Sequence, residues 1–260
     1  MDTKRWGPSG WRLLHLIATG PNAAKSKQFW VSLPYVLPCK FCRASLSTYY
    51  DQHPIPNKQE DFAEWLYKIH NLVNQKLRDQ GQNVPPDPPF KDVQERYQSL
   101  LNQGCSQTEF PGWDFLFSLA DNHPGYSPSK PMPDVPEPPP KSLKERNRYN
   151  LLTPQERVQM LKKFWASIPA VLPFPLWQTA WKKNVCSLNK VTKDRRSAMS
   201  AIWAIRCAID SELHHSAKQN FHGLCKTIAS YRSGCSKSTR AKTCRALRPV
   251  SRKTRRTKQR

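Results

Sequence analysis

Pro38-Cys39-Lys40-Phe41-Cys42, followed twenty-eight residues after Cys42 by His70-Asn71-Leu72-Val73-Asn74-Gln75-Lys76-Leu77, is the stretch on which the fold turns. A C-x-x-C can follow a strand, as in a thioredoxin-like sheet, or stand in a wholly helical chain. No convincing run of residues here alternates apolar and polar as a half-buried strand would. Gln28 to Val36 has helical spacing and is ended by Pro38. A further helix is expected from near Cys39 to Tyr50, closed by His53-Pro54-Ile55-Pro56. Phe62, Trp65, Leu66, Ile69, Val73 and Leu77 then recur at helical spacing between Asn57 and Gly81 and carry the His70 motif. The expected fold class is all-α.

Working outward, Trp11 to Ala18 has helical spacing and is introduced by Gly7-Pro8-Ser9-Gly10. A short helix is expected around Val93 to Leu101, after Pro85-Pro86-Asp87-Pro88-Pro89. Residues 124–140 hold eight prolines in seventeen positions, which favours an extended linker over a packed element. Helical patterning resumes at Thr153-Pro154-Gln155-Glu156, a capping-box arrangement, and again from Asp194 to about Leu213.

A faint repeat links the two halves. Phe29-Trp30-Val31-Ser32-Leu33-Pro34-Tyr35-Val36-Leu37-Pro38 matches Phe164-Trp165-Ala166-Ser167-Ile168-Pro169-Ala170-Val171-Leu172-Pro173. In that register Phe174 stands opposite Cys39 and Trp177 opposite Cys42. Leu66-Tyr67-Lys68-Ile69-His70 lies against Ile202-Trp203-Ala204-Ile205-Arg206, Asn74 against Asp210, and Trp11-Arg12-Leu13-Leu14-His15 against Trp113-Asp114-Phe115-Leu116-Phe117. Apolar scaffold positions recur while the chemical positions are replaced, so the second half reads as a degenerate copy of one helical unit.

The chain is 260 residues long with a net charge of +23. Eleven Lys or Arg and no acid fall in 237–260, leaving +12 elsewhere (23 − 11). Such a run stays solvated and suits polyanion binding or nuclear targeting. No stretch is apolar enough to span a bilayer, and Met1-Asp2-Thr3-Lys4-Arg5-Trp6 has no signal-peptide core. A cytosolic start is therefore expected, where cysteines are more readily redox-active than structural.

Cys39 follows a proline and opens a helix, where free N–H groups and the helix dipole favour a thiolate. Cys42 lies one turn along, within disulfide reach. A helical dithiol needs an electron acceptor from outside the polypeptide, and a flavin is the natural one. His70 and Asn74 share a helix face bordered by Asn71 and Lys76. An imidazole can stack on adenine, amides can bond its edge, and a lysine can meet a pyrophosphate. Zinc binding by Cys39, Cys42, His53 and His70 fits no common module, and no metal is expected.

Residues 1 to about 105 resemble the FAD-linked sulfhydryl oxidases of the Erv/ALR family, most closely its compact viral branch. The resemblance rests on W-G-P-x-x-W-x-x-L-H at 6–15, P-C-x-x-C at 38–42 and H-N-x-V-N-x-K-L at 70–77. It implies a small helical bundle holding FAD non-covalently, often as a homodimer. Cys42 would be the charge-transfer thiolate against the flavin, and Cys39 the interchange thiol meeting substrate. Trp6, Trp11 and His15 would line the flavin site. His70, Asn71, Asn74 and Lys76 would hold the adenosine and phosphates, with Tyr50 and Tyr97 as weaker candidates. Electrons would pass from the dithiol of a protein substrate or a thioredoxin-like carrier through Cys39–Cys42 and FAD to O2, giving H2O2. The setting implied is virion protein assembly, in host cytoplasm or virion.

Two departures stand out. Phe90-Lys91-Asp92-Val93-Gln94-Glu95-Arg96-Tyr97 resembles the segment that carries a structural disulfide in many cellular members, but its first cysteine is missing, leaving Cys105 an orphan. No separate shuttle dithiol is evident. Cys235 and Cys244 on the basic segment could act as a tethered shuttle, although no spacing motif supports it. The expected organisation is an oxidase-like unit at 1–108, a helical accessory unit at 109–222 and a basic tail at 223–260. The rival reading is a nucleic-acid-binding virion or chromatin protein with an inactive oxidase-like core.

Overall fold

The structure, a computed structural model, describes residues 2–106, 108–125, 130–183, 188–214 and 220–231. Every regular element among the described residues is helical. The first half holds α1 (Thr3–Thr19), α2 (Lys27–Val36), α3 (Lys40–Gln52), α4 (Phe62–Asp79) and α5 (Phe90–Gln103). The second holds α6 (Trp113–Asp121), α7 (Leu143–Arg148), α8 (Pro154–Val171), α9 (Pro175–Lys183), α10 (Leu188–Lys193), α11 (Arg195–Glu212) and α12 (Phe221–Ser230).

Local chemistry sets the ends. Asp2 caps α1, its carboxylate accepting from the Lys4 N–H at 3.0 Å. The helix therefore begins eight residues before Trp11, the expected start, and runs through Pro8. Lys4 and Pro8 are both exposed, so the hydrogen bond that Pro8 cannot donate falls on the solvent side, where the Lys4 carbonyl need not go unsatisfied. Cys39 caps α3, with its Sγ accepting from the Cys42 N–H at 3.4 Å. Thr153 and Glu156 form the expected capping box at α8. Residues 223–230, expected to open a flexible tail, belong to α12. Leu224 and Ile228, one turn apart, bury themselves there and hold the helix on the core. The basic run 237–260 lies outside the described residues, as do Cys186, Cys235 and Cys244.

The buried apolar residues of both halves form one contiguous core. Its seam joins matched elements: α2 lies along α8, and α1 along α6. Phe29 and Phe164, matched in the sequence register, stack on each other with centroids 5.3 Å apart. Each meets its following tryptophan edge-on, Trp30 at 86° and Trp165 at 74°. Ser32 donates to the Phe29 carbonyl at 3.0 Å, and Ser167 to the Phe164 carbonyl at 2.8 Å. Each serine stands two residues before an in-helix proline, Pro34 and Pro169. Glycines let the halves approach. A Cβ at Gly112 would stand 2.5 Å from Leu13 Cδ2, and one at Gly20 would stand 2.9 Å from Pro173 Cβ.

Candidate redox and cofactor site

The C-terminal half of α4 carries most of the expected ligands. Its face is well covered at Phe62, Trp65, Leu66 and Ile69, but Val73 and Leu77, continuing the same stripe, are only half-buried. At the point of transition stands His70. Trp11 from α1 stacks on its ring at 4.0 Å and 13°. His15, one turn further along α1, places Nε2 3.0 Å from His70 Nδ1, and Tyr97 from α5 stacks on His15 at 5.1 Å. Three helices thus deliver one aromatic cluster.

Both imidazoles are held neutral. Burial, reinforced by the neighbouring His70, pulls His15 down to about 3. Burial takes His70 down to about 4, against the opposing pull of the Asp87 carboxylate. Asp87, in the proline-rich connection before α5, accepts from Asn74 Nδ2 at 2.6 Å and pairs with Arg78 at 2.6 Å. These donors hold its carboxyl below the usual range. Lys76 reaches across to α3, donating to Ser45 Oγ three residues beyond Cys42. Tyr49 of α3 donates back to the Leu72 carbonyl at 3.3 Å. The histidine helix and the cysteine helix are thereby tied together.

Cys42 is half-buried, whereas Cys39 is 6% exposed and part of the core. Arg43, which sequence reasoning passed over, is buried beside them at 1% exposure. Segments of the second half brace this helix. Lys40 Nζ donates to the carbonyls of Lys130 and Pro131, and Asn147 Nδ2 donates to the Pro34 carbonyl and Ser47 Oγ. Asp51 pairs with Lys144 and Arg148 of α7.

The family model of the Erv1 / Alr family matches residues 8–98. The chain is 33% identical over 121 residues to a FAD-linked sulfhydryl oxidase of African swine fever virus (isolate Tick/Malawi/Lil 20-1/1983), covering 43% of this chain and 98% of that protein. It is 35% identical, over the same shares, to the protein of that name from the Pig/Kenya/KEN-50/1950 isolate. This chain belongs to the Erv1 / Alr family. It is also 31% identical over 85 residues to the mitochondrial FAD-linked sulfhydryl oxidase ERV1 of Saccharomyces cerevisiae, covering 30% of this chain and 45% of that protein. No solved structure matches it.

Within this family member the expected ligands fall into two groups. Trp11, His15, His70 and Tyr97 are brought together by ring contacts, and Asn74 and Lys76 stand on the same helix. Asn71 is half-buried beside His70. Trp6 lies instead against Phe115 of α6, centroids 5.9 Å apart, and Tyr50 against Trp65 at 5.2 Å. The Trp6 Nε1 and Tyr50 hydroxyl are both buried without a hydrogen-bond partner. Cys105 is a half-buried free thiol. Among the described residues no cluster of three or more His, Cys, Asp or Glu is placed to hold a metal ion.

The residues that the sequence register sets opposite that cluster pack around a charge. Arg206, in the register of His70, lies over the Trp113 ring at 5.8 Å and the Trp203 ring at 5.6 Å, and pairs with Asp210 at 3.3 Å. Trp113 keeps the place of Trp11, and Phe117 lies 6.1 Å from it as His15 lies 6.2 Å from Trp11. Phe174 and Trp177 fill the cysteine positions, packed edge to face at 4.7 Å.

Proposed function

We propose that the chain is a FAD-linked sulfhydryl oxidase that makes disulfide bonds through Cys39 and Cys42. The observation that carries the reading is the joining of two helices. One bears the C-x-x-C; the other bears a neutral histidine in a tryptophan stack above a half-covered apolar stripe. Val73 and Leu77 suit a flat, largely apolar ring system, the His70–Trp11 stack suits a purine, and Lys76 suits a phosphate. These residues fit FAD, which when bound supplies a two-electron acceptor that can return the electrons to O2 as H2O2.

The chain's own part is exchange. A substrate thiolate attacks the Cys39–Cys42 disulfide at Cys39, forming a mixed disulfide while the electron pair of the broken bond leaves on Cys42. The second substrate thiolate then attacks the substrate sulfur and releases Cys39, so the substrate is oxidised and the pair reduced. Cys42, half-buried, is the sulfur that would meet the cofactor, as the family resemblance implies. Trp11, His15, His70, Asn71, Asn74, Lys76 and Tyr97 bind and orient the cofactor; Trp6 and Tyr50 support the site from the core. The substrate is a protein dithiol or a thioredoxin-like carrier, in a viral assembly setting. The oxidase-like unit is 1–108, and 109–222 is its degenerate copy. The basic run 237–260 is a candidate for polyanion contact, which a salt-dependent DNA shift lost on its deletion would establish.

Visible absorption of the purified protein, followed by oxygen uptake on adding a dithiol, tests the assignment. Flavin bands near about 450 nm with uptake abolished by Cys42→Ser are expected. A colourless protein that FAD does not reconstitute would sink the reading.

A further inference from the structure

Arg43 is a charge in the wrong place for a merely structural residue. Its Nη1 donates to the Leu37 carbonyl at 2.8 Å and its Nη2 to Asn150 Oδ1. Neither acceptor is charged, and among the described residues no carboxylate forms an ion pair with it. Burying an ion without a counter-ion is strongly unfavourable. Burial, aided by repulsion from Arg157, lowers its pKa to about 9, while Cys39 and Cys42 pull it back up. It stays protonated near neutral pH, and Cys39 and Cys42 are the neighbouring groups that pull on its charge and can become anions.

The second half provides an internal control. Gln178 stands where the register places Arg43, and its Nε2 donates at 2.8 Å to the carbonyl of Leu172, the counterpart of Leu37. A neutral amide thus makes the same bond in the copy whose cysteine positions hold Phe174 and Trp177. The hydrogen bond needs no charge; the charge accompanies the cysteines. We propose that Arg43 is an electrostatic positioning residue for the Cys39–Cys42 pair, holding the reduced pair as thiolate, and that Asn150 from the second half fixes its guanidinium there. This rests on the reading of Cys39 and Cys42 as the redox pair.

Asn150 is suited to the role. Its φ of 57° lies in the left-handed region, which Asn adopts more readily than most residues, and its Nδ2 donates to the Lys130 carbonyl at 2.7 Å. The second half and its proline-rich segment are therefore anchored on the charge. When the disulfide opens, the sulfur that departs with the electron pair is stabilised by a cation that stays protonated throughout. Of the other charged or titratable groups, Arg157 of α8 acts on Arg43, Tyr49 of α3 lies within the field of Cys42, Lys40 stands between the two cysteines, and Lys76 of α4 reaches Ser45.

The test uses the full-length protein and Arg43→Gln, which copies the second half, with Arg43→Lys and Asn150→Ala beside it. The pH profile of Cys39 and Cys42 alkylation by iodoacetamide is read peptide by peptide, together with the equilibrium of the pair against glutathione. Arg43→Gln should move the alkylation midpoint up by about one pH unit, a roughly tenfold smaller thiolate fraction at neutral pH. It should also favour the disulfide about tenfold, a potential about 30 mV more negative. Arg43→Lys should restore most of both, and Asn150→Ala should shift both part of the way. An Arg43→Gln profile that superimposes on that of the wild type overturns the proposal. If Arg43→Gln does not fold, an unchanged Asn150→Ala profile overturns it instead. A wild-type protein lacking flavin or oxygen uptake would count against the oxidase reading alone, because the alkylation profile is read without either.

Discussion

His15 and His70 share one hydrogen bond, which suits two neutral rings; a proton on each would set two donors face to face. With folded values of about 3 and about 4 against an ordinary value near 6.5, the unfolded chain binds protons that the folded chain refuses. Their contribution is fully present above about pH 6.5 and is lost as pH falls from there through 4 and 3. Each histidine can add a slope of up to about 1.4 kcal/mol per pH unit, an upper bound for the partly exposed His70. The melting midpoint should drop between pH 7 and pH 4.5, and the decline should be clearly shallower in a His15→Gln/His70→Gln double variant. Parallel declines would mean that the histidines are not held neutral. Trp11, His15 and Tyr97 were expected only through the family resemblance, because an aromatic wall and a core residue read alike in sequence; His70 was legible from the helix face it shares with Asn74. Arg43 was not, since a lone arginine after a cysteine pair resembles a surface residue. The available signal was its register: Cys39, Arg43, Leu46, Ser47 and Tyr50 lie on one face of α3, the face that is buried.

At the scale of elements, helix type followed from periodicity, whereas ends depended on capping. α8 began where Thr153 and Glu156 said it would, but α1 began well before its apolar stripe because Asp2, a single side chain, supplied the cap. The short helices α7, α9 and α10 have too few turns for a spacing pattern to stand out. The close seam between α1 and α6 depends on Gly112, where a Cβ would meet Leu13 Cδ2 at 2.5 Å, Phe110 Cε1 at 2.9 Å and Leu13 Cβ at 3.2 Å. Gly112→Ala should therefore overpack this seam and cost about 1–3 kcal/mol, seen as a lower midpoint in thermal or urea unfolding. Gly7→Ala is the control for the seam, since apart from its chain neighbours and its own helix backbone a Cβ there meets nothing within 4 Å. Its effect should be far smaller, and equal losses from the two would refute the close-approach explanation.

For the whole molecule the recurring question is what the second half is for, since in the sequence register Arg206 stands opposite His70 and aromatic residues stand opposite the cysteines. Its matched helices α6 and α8 lie on α1 and α2, so this face of the first half is already covered within one chain. The homodimer implied by the resemblance would have to use a different face. The viral relatives align over 98% of their length with only 43% of this chain, so one unit is a whole protein there. Here Phe29 of the same unit is covered by Phe164 of its own continuation, along the seam of α2 and α8. A fragment ending at residue 108 would expose that apolar seam and would lose the Asn147 and Asn150 contacts to α3. Light scattering after size exclusion should find the fragment self-associated or aggregated at concentrations where the full chain is not. Adding Phe29→Glu should reduce that association, because a charge on the stacking position opposes burial of the seam. A monomeric, well-folded fragment with an unchanged cysteine alkylation profile would show that the second half neither covers nor tunes the first.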